Sequence, residues 1–451
     1  MLPVSAHGGI VPITFNPPTS TSTPTSNTNA MTGVSTTIPS TSSNTSGNSS
    51  TPHTALKETL AQLVQRHVDL CKKSLRVFAM AGRTLEMSTD TWAVLLKVML
   101  GITDCLLKEP VGDTTNLGVV NMADELCDSL LQVLFELWLR SNIMDVNMWD
   151  ILKSCFGRWI HRSKAIQQWN ATSLALTEYV QQLVYGEQEK VEGVFVNGPN
   201  VRLELPNEFA HYAWHRIIYL IPHPLQLPSS NFTLAMLGIG NLVDTLNSTL
   251  SGSNQQERNE KDTEQTNVMN SPDGNTLLNM FGTYLFDAAS RAESADSDAQ
   301  RGCAESLATL CHIFCKPQKR QPFLRTYIER FYAALITGLK SDTCLPTILL
   351  SCTELFATDL EGVRMLVPDF MSAIKMVLPK MKFECKTQVS IDNLRLAAIK
   401  VLSTIMCLPN HFDKIELGKF NWDSSDSSIT PSENVSVVGE QEQLVTQLVS
   451  G

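Results

Sequence analysis

The sequence predicts an all-α fold of the α-solenoid kind, and three observations carry that prediction. Apolar residues recur at three- and four-residue spacings in segment after segment, the stripe of an amphipathic helix. Short polar turns separate these segments. No two stretches carry enough apolar alternation to build a sheet. Helix pairs that bury one face and pass the other to the next pair stack into a solenoid. No fixed-period repeat is visible, so a degenerate HEAT- or armadillo-like array of roughly 40 residues per unit fits better than a consensus repeat.

Taken in order, residues 1–54 are rich in Ser, Thr, Pro, Asn and Gly and hold almost nothing apolar. Such a tail cannot offset its ordering entropy and is expected to be disordered. A first helical block spans 55–249. It opens with "ALKETLAQLVQRHVDLCKKSLRVFAMAG", whose Leu56, Leu60, Leu63, Val64, Val68, Cys71, Leu75 and Phe78 form one stripe that Gly82 closes. "STDTWAVLLKVMLGITDCLLKEP" starts from Ser88 or Thr89 as N-cap and stops before Pro110. "NMADELCDSLLQVLFELWLRS", "DVNMWDILKSCFGRWIHRS" and "SKAIQQWNATSLALTEYVQQLVYG" follow as three further helices.

"EGVFVNGPNVRLEL" alternates around Asn197-Gly198 and reads as a long inter-helix loop with at most a short ribbon. "PNEFAHYAWHRIIYLIP" and "SNFTLAMLGIGNLVDTLNSTL" return to helical spacing. Residues 250–272 lack periodicity and read as a disordered linker. A second helical block, 273–415, continues the solenoid. Its entry helix, "NTLLNMFGTYLFDAASR", is expected to pack through Leu277, Phe281 and Leu285 onto "CAESLATLCHIFC", with Asp273 or Asn275 as N-cap. Residues 416–451 read as a flexible acidic tail.

Composition excludes several functions. The formal charge is −10 and the only dense basic cluster is Lys316, Lys319, Arg320 and Arg325. A nucleic-acid grip needs a concentrated basic face, so no nucleic-acid partner is expected. No stretch approaches the roughly 18 uninterrupted apolar residues of a membrane span. Most of the 11 cysteines lie within apolar helical patterns, where a thiol acts as a small hydrophobe. A reducing, cytoplasmic compartment is the natural reading.

The search for chemistry finds stripes, not sites. Neither a P-loop, a GxGxxG fingerprint nor a nucleophile elbow occurs, and "GIGN" at Gly238 sits in a helical pattern with no strand before it. Cys303, Cys311, His312 and Cys315 lie close in sequence, but Leu307, Leu310 and Phe314 make their face a core stripe. His211 and His215 form an i, i+4 pair without a third ligand. Glu187, Glu189 and Glu192, and Glu293, Asp296 and Asp298, fall in polar segments that offer no pocket to shift a pKa. Trp92, Trp138, Trp149, Trp159, Trp169 and Trp214 stand beside aliphatics as core residues. No catalytic, metal or cofactor-binding residue is assigned and no cofactor is expected.

"STDTWAVLLKVMLGITDCLL", "LCDSLLQVLFELWL" and "MWDILKSCFGRWIHRSKAIQQWNATSLALT", followed by "HYAWHRIIYLIPHPLQL", "NTLLNMFGTYLFDAA" and "FLRTYIERFYAALITGL", appear in a familiar order. Over residues 85–415 the chain resembles the helical N-terminal region of the beta subunits of Ral GTPase-activating protein complexes. The resemblance implies a non-catalytic scaffold that pairs with a catalytic alpha subunit and, through it, meets a Ral-type small GTPase. In that family the chemistry belongs to a C-terminal Rap/Ran-GAP-type domain. The sequence stops before such a domain, so a fragment of a longer protein is expected. The other class compatible with these patterns is a HEAT-type adaptor in protein assembly or transport, unrelated to GTPases.

Overall fold

A computed structural model describes residues 52–109, 122–185, 193–195, 202–248, 272–292, 296–318, 320–358, 360–379 and 389–412. Among them are thirteen α-helices and one two-stranded ribbon. The first block contributes α1 (Pro52–Thr84), α2 (Thr89–Leu107), α3 (Met122–Arg140), α4 (Val146–Trp159), α5 (Ser163–Tyr185), α6 (Asn207–Ile218) and α7 (Ser229–Asn247). The second contributes α8 (Gly274–Ala289), α9 (Ser297–Phe314), α10 (Arg325–Gly338), α11 (Cys344–Ser351), α12 (Val367–Val377) and α13 (Ile391–Phe412). The ribbon pairs β1 (Val194–Phe195) antiparallel with β2 (Arg202–Leu203), Val194 facing Leu203. The expected tails, the linker and Asn197-Gly198 lie outside the described residues, apart from a few positions at their edges.

The odd-numbered helices form one layer. Each packs on the next odd helix, from α1 on α3 through to α11 on α13. Even-numbered helices cover this layer, with α2 against α4 and α8 against α10. Neighbours within a layer run parallel. Asn170 of α5 donates to Leu234 O of α7 at 2.9 Å, and further along Gln181 donates to Ser248 O at 2.9 Å. Between α9 and α11, Thr343 meets Gln300 at 3.0 Å and Cys352 meets Cys311 at 3.0 Å. All the described helices belong to one compact unit that begins at Pro52.

Local sequence sets the helix ends. Ser88 Oγ accepts the Thr91 amide at 3.3 Å and Asp145 the Asn147 amide at 3.0 Å, so both cap as their residue types require. Asp296 accepts the amides of Ala299 and Asp298, and these bonds with that of Ser229 hold its carboxyl below the usual range. Asp273 occupies the N-cap position of α8 without a side-chain bond. Asn275 instead bridges outward, donating to Pro322 O at 2.9 Å and accepting from Leu324 N at 3.1 Å.

Two details of α1 differ from the expectation. Gly82 does not close the helix, which runs on to Thr84. It lies where α1 presses on α3, with the Leu137 side chain against its Cα. Leu63 is not in the buried stripe but on the opposite, exposed face. The α1–α3 contact also holds Glu136, wholly buried, between Arg83 Nε at 2.6 Å and Nη2 at 2.7 Å and Arg140 Nε at 3.1 Å. A buried carboxylate is tolerable only with such partners.

The helix pair α7 and α9 joins the two blocks. Gly238 of α7 lies on the Asn170 side chain of α5, while Gly302 of α9 lies on the Phe232 ring and the Thr233 backbone of α7. A methyl group at 238 would overlap the Asn170 amide and displace its bond to Leu234. Gly238→Ala should therefore destabilise by about 1–3 kcal/mol, read as a lower denaturant midpoint. Gly101→Ala, where a Cβ meets nothing within 4 Å, should be neutral or slightly stabilising.

Along the exposed edge of the α7–α9 pair, His312 Nδ1 lies 2.8 Å from Asp244 Oδ1. The hydrogen bond to Asp244 raises the imidazole pKa above its ordinary value against the opposing effect of burial. Because the folded-state pKa is the higher one, this stabilisation is complete below the unfolded value of about 6.5 and fades as pH rises through the folded pKa. An NMR titration of the His312 ring should show the raised pKa, and Asp244→Asn should return it toward 6.5 or below.

Candidate functional site

The residues singled out for chemistry do not converge. Cys303 and Cys311 are buried in the α9 core stripe, and burial pushes the Cys303 thiol up to about 12. His312 points away to Asp244 on the exposed edge. Cys315, at the end of α9, is half-buried beside Ser351. Cys311 instead meets Cys352 of the neighbouring turn, and burial raises both thiols. His215 lies against Tyr219 with ring centres 4.9 Å apart and the rings tilted by 55°, and His211 is exposed. Among the described residues no group of three His, Cys, Asp or Glu could hold a metal ion. Glu187, Glu189, Glu192, Glu293 and Lys319 lie outside those residues.

Four of the described tryptophans pack in or at the edge of the core with satisfied indole nitrogens. Trp149 donates to Ile143 O at 2.8 Å, Trp169 to Ile217 O at 2.8 Å, and Trp159 to Asp104 Oδ1 at 3.1 Å. Trp214, half-buried, donates to Thr177 Oγ1 at 2.9 Å. An indole nitrogen enclosed in a core usually finds such an acceptor, and the buried Trp138 Nε1 is the exception among the described tryptophans. On the opposite side of α4, Asp150 pairs with Arg216 of α6 at 2.9 Å.

On α8, Leu277, Phe281 and Leu285 are all buried, and the helix packs on α9. Its rim is tied down by polar and ring contacts. Tyr219 donates to Met280 O at 3.1 Å, and Tyr327 donates to Asn279 Oδ1 at 2.5 Å. Arg330 lies over the Phe286 ring at 4.5 Å and reaches Asp287 at 3.3 Å. The Phe286 ring stacks on Tyr327. The aromatic density of this segment is thus used inside the array.

Lys316, Arg320 and Pro317 edge a cleft of about 710 Å³ between the end of α9 and the 3-10 turn Leu355–Ala357. Lys316 is engaged with Asn247 O, the last turn of α7, and Gln318 with the Gly274 amide at 2.8 Å. This turn fastens three helices together. Arg325 pairs within its own helix, to Glu329 at 2.9 Å.

What the array exposes instead is apolar surface on particular helices. Val94, Val98 and Ile102 form a line on α2, and Leu396, Ile399 and Met406 form one on α13. Leu63, Leu70, Val77 and Met80 form a third on α1. Sequence periodicity finds the stripes of a helix but not which one faces its neighbours. α1 carries two apolar stripes, and only contact with α3 separates them. Among the described residues no helix is long and apolar enough to cross a membrane.

Comparison with known proteins places these helices. Residues 63–187, from α1 to just beyond α5, match the RALGAPB N-terminal domain family. A Rap-GAP domain-containing protein of Dictyostelium discoideum is 29% identical over 381 residues, covering 82% of this chain and 21% of that protein. Human Ral GTPase-activating protein subunit beta is 23% identical over 521 aligned residues, covering 81% of this chain and 34% of the subunit. Human Ral GTPase-activating protein subunit alpha-1 is 26% identical over 132 residues, covering 28% of this chain and 6% of the subunit. The chain spans about a third or less of the length of these relatives. The resemblance carried by the order of the helices therefore holds, and the chain is RALGAPB-like.

Proposed function

We propose that this chain is a non-catalytic scaffold subunit of a GTPase-activating complex that acts on Ral-type small GTPases. One observation carries the reading. Similarity to the beta subunit runs along 81% of the chain, whereas similarity to the alpha subunit covers 28%. On this reading the partner is a catalytic alpha subunit, and the meeting with the GTPase is indirect. The complex works in the reducing environment of the cytoplasm, in keeping with core thiols such as Cys127, which burial pushes up to about 12.

The mechanism is surface complementarity. Accelerating GTP hydrolysis requires a positioned polar or cationic group at the transferring phosphoryl. Several polar side chains instead hold helix to helix, as Arg83 of α1 does on Glu136 of α3 and Arg158 of α4 on Asp104 of α2. A parallel helical layer supplies the rigidity that a partner's catalytic domain needs to be held at a fixed orientation. The two helical blocks, 55–249 and 273–415, act as a single support.

Co-expression with a Ral GTPase-activating alpha subunit followed by size-exclusion chromatography should recover both chains in one peak. Phosphate release from GTP-loaded Ral should stay at the intrinsic rate with the purified chain alone, even at stoichiometric amounts. Separate elution would favour an adaptor role elsewhere, and a rate increase by the chain alone would show it to be catalytic.

A further inference from the structure

Helix α1 docks on α3 through one face, where Val68, Leu75 and Ala79 are buried. The opposite face is open among the described residues. On it Leu63 is 51% exposed, Leu70 60%, Val77 67% and Met80 62%. Steps of seven, seven and three residues put these four side chains on one line along the helix. Arg66 and Lys73 fall on the same line, between the apolar residues. The pattern is a heptad seam, with Leu63, Leu70 and Val77 at one core position and Arg66, Lys73 and Met80 at the other. It runs for about 26 Å at 1.5 Å per residue.

The two cations are exposed, and none of the ion pairs among the described residues uses them. Arg83, one turn further on, is already spent on Glu136. A basic seam in a chain of net charge −10 marks a local reversal of sign. The position of the cations decides what can cover the face. A lipid surface takes basic residues that flank an apolar stripe, whereas these sit within it and would be carried below the headgroups. A second copy in parallel would set Arg66 against Arg66 and Lys73 against Lys73. In antiparallel orientation it would set each cation on a leucine or valine. A helix with apolar residues in heptad spacing and carboxylates opposite 66 and 73 satisfies both components.

We propose that the outer seam of α1 is a docking site for an acidic amphipathic helix of a partner protein. The apolar residues supply contact area, and the two cations fix register and exclude basic or neutral helices. The inference stands apart from the choice of GTPase complex, since it names the chemistry of the docked helix and not its source.

The test uses the full chain and two synthetic three-heptad peptides, identical except for Glu or Lys at the positions facing Arg66 and Lys73. In fluorescence anisotropy the Glu peptide should bind, weaken with added salt, and exceed the Lys peptide by about tenfold or more in affinity. The Arg66→Glu/Lys73→Glu variant, its fold checked by circular dichroism melting, should invert that preference. Leu70→Asp should weaken the Glu peptide strongly. Equal affinity for both peptides, or binding of neither, would overturn the proposal. So would sedimentation of the chain with phosphatidylcholine–phosphatidylserine vesicles that Leu70→Asp abolishes, or self-association in the ultracentrifuge lost in the same variant.

Discussion

The parallel contact between α7 and α9 is the constraint on which the array depends. It joins helices that belong to different halves of the chain. Ser229 meets Asp296 at 2.8 Å, Thr233 meets Asp298 O at 2.9 Å and His312 meets Asp244 at 2.8 Å. These links mark the edge of a seam in which the buried Phe232 ring lies against Gly302. The seam can be this close because Gly302 presents no side chain to the Phe232 ring. In an array where each helix touches mainly its neighbours, stability is close to a sum of local terms. Loss of this one interface would therefore divide the molecule rather than loosen it throughout.

Hydrogen-bond registers between layer neighbours explain why no repeat period is visible. Across α3 and α5, Arg162 and Lys164 reach Asp124 at separations of 38 and 40 residues. Across α9 and α11 the separations are 43 and 41 residues. These are the bare unit, two helices and two turns. Across α1 and α3 the separation is 53, with residues 110–121 interposed. Across α5 and α7 it is 64 to 67, with the ribbon interposed, and across α7 and α9 it is 65 to 68, with residues 249–271 interposed. Insertions at unit boundaries leave the spatial register intact and erase the sequence period.

The all-α class and the order of helices were legible because each helix must bury a stripe, and burial writes a 3.6-residue period into sequence. Ser88 was legible as a cap for the same local reason. What a residue does across a contact is written elsewhere. Gly82 looks like a helix stop in isolation, and the close approach of Leu137 of α3 and Trp92 of α2 gives it another role. Asn275 looks like a cap, yet its amide is spent on Pro322 and Leu324. Leu63 looks like core because α1 has apolar residues on both faces. Cys303, Cys311, His312 and Cys315 look like ligands when written in a line, but helical geometry turns Cys311 into the core and His312 out to Asp244. No spacing rule could have paired Cys311 with Cys352, because that proximity belongs to the stacking of α9 on α11.

A layered array also decides where function can reside. Interior odd helices such as α7 are covered by a neighbour on each side and by the even layer. Their surface is largely committed, and a change there is paid in stability. α1 and α13 each have a neighbour on one side only among the described helices. On them an apolar stripe can be kept open without disturbing the rest, as the exposed Leu70 and Leu396 show. Among the described residues, the exposed apolar side chains of α1 and α13 add nothing to the core, and the cations within the α1 stripe gain nothing from α3. Selection for stability alone gives no reason for either. A binding partner does, and nearest-neighbour coupling allows one to dock at an end while the α7–α9 interface keeps its geometry.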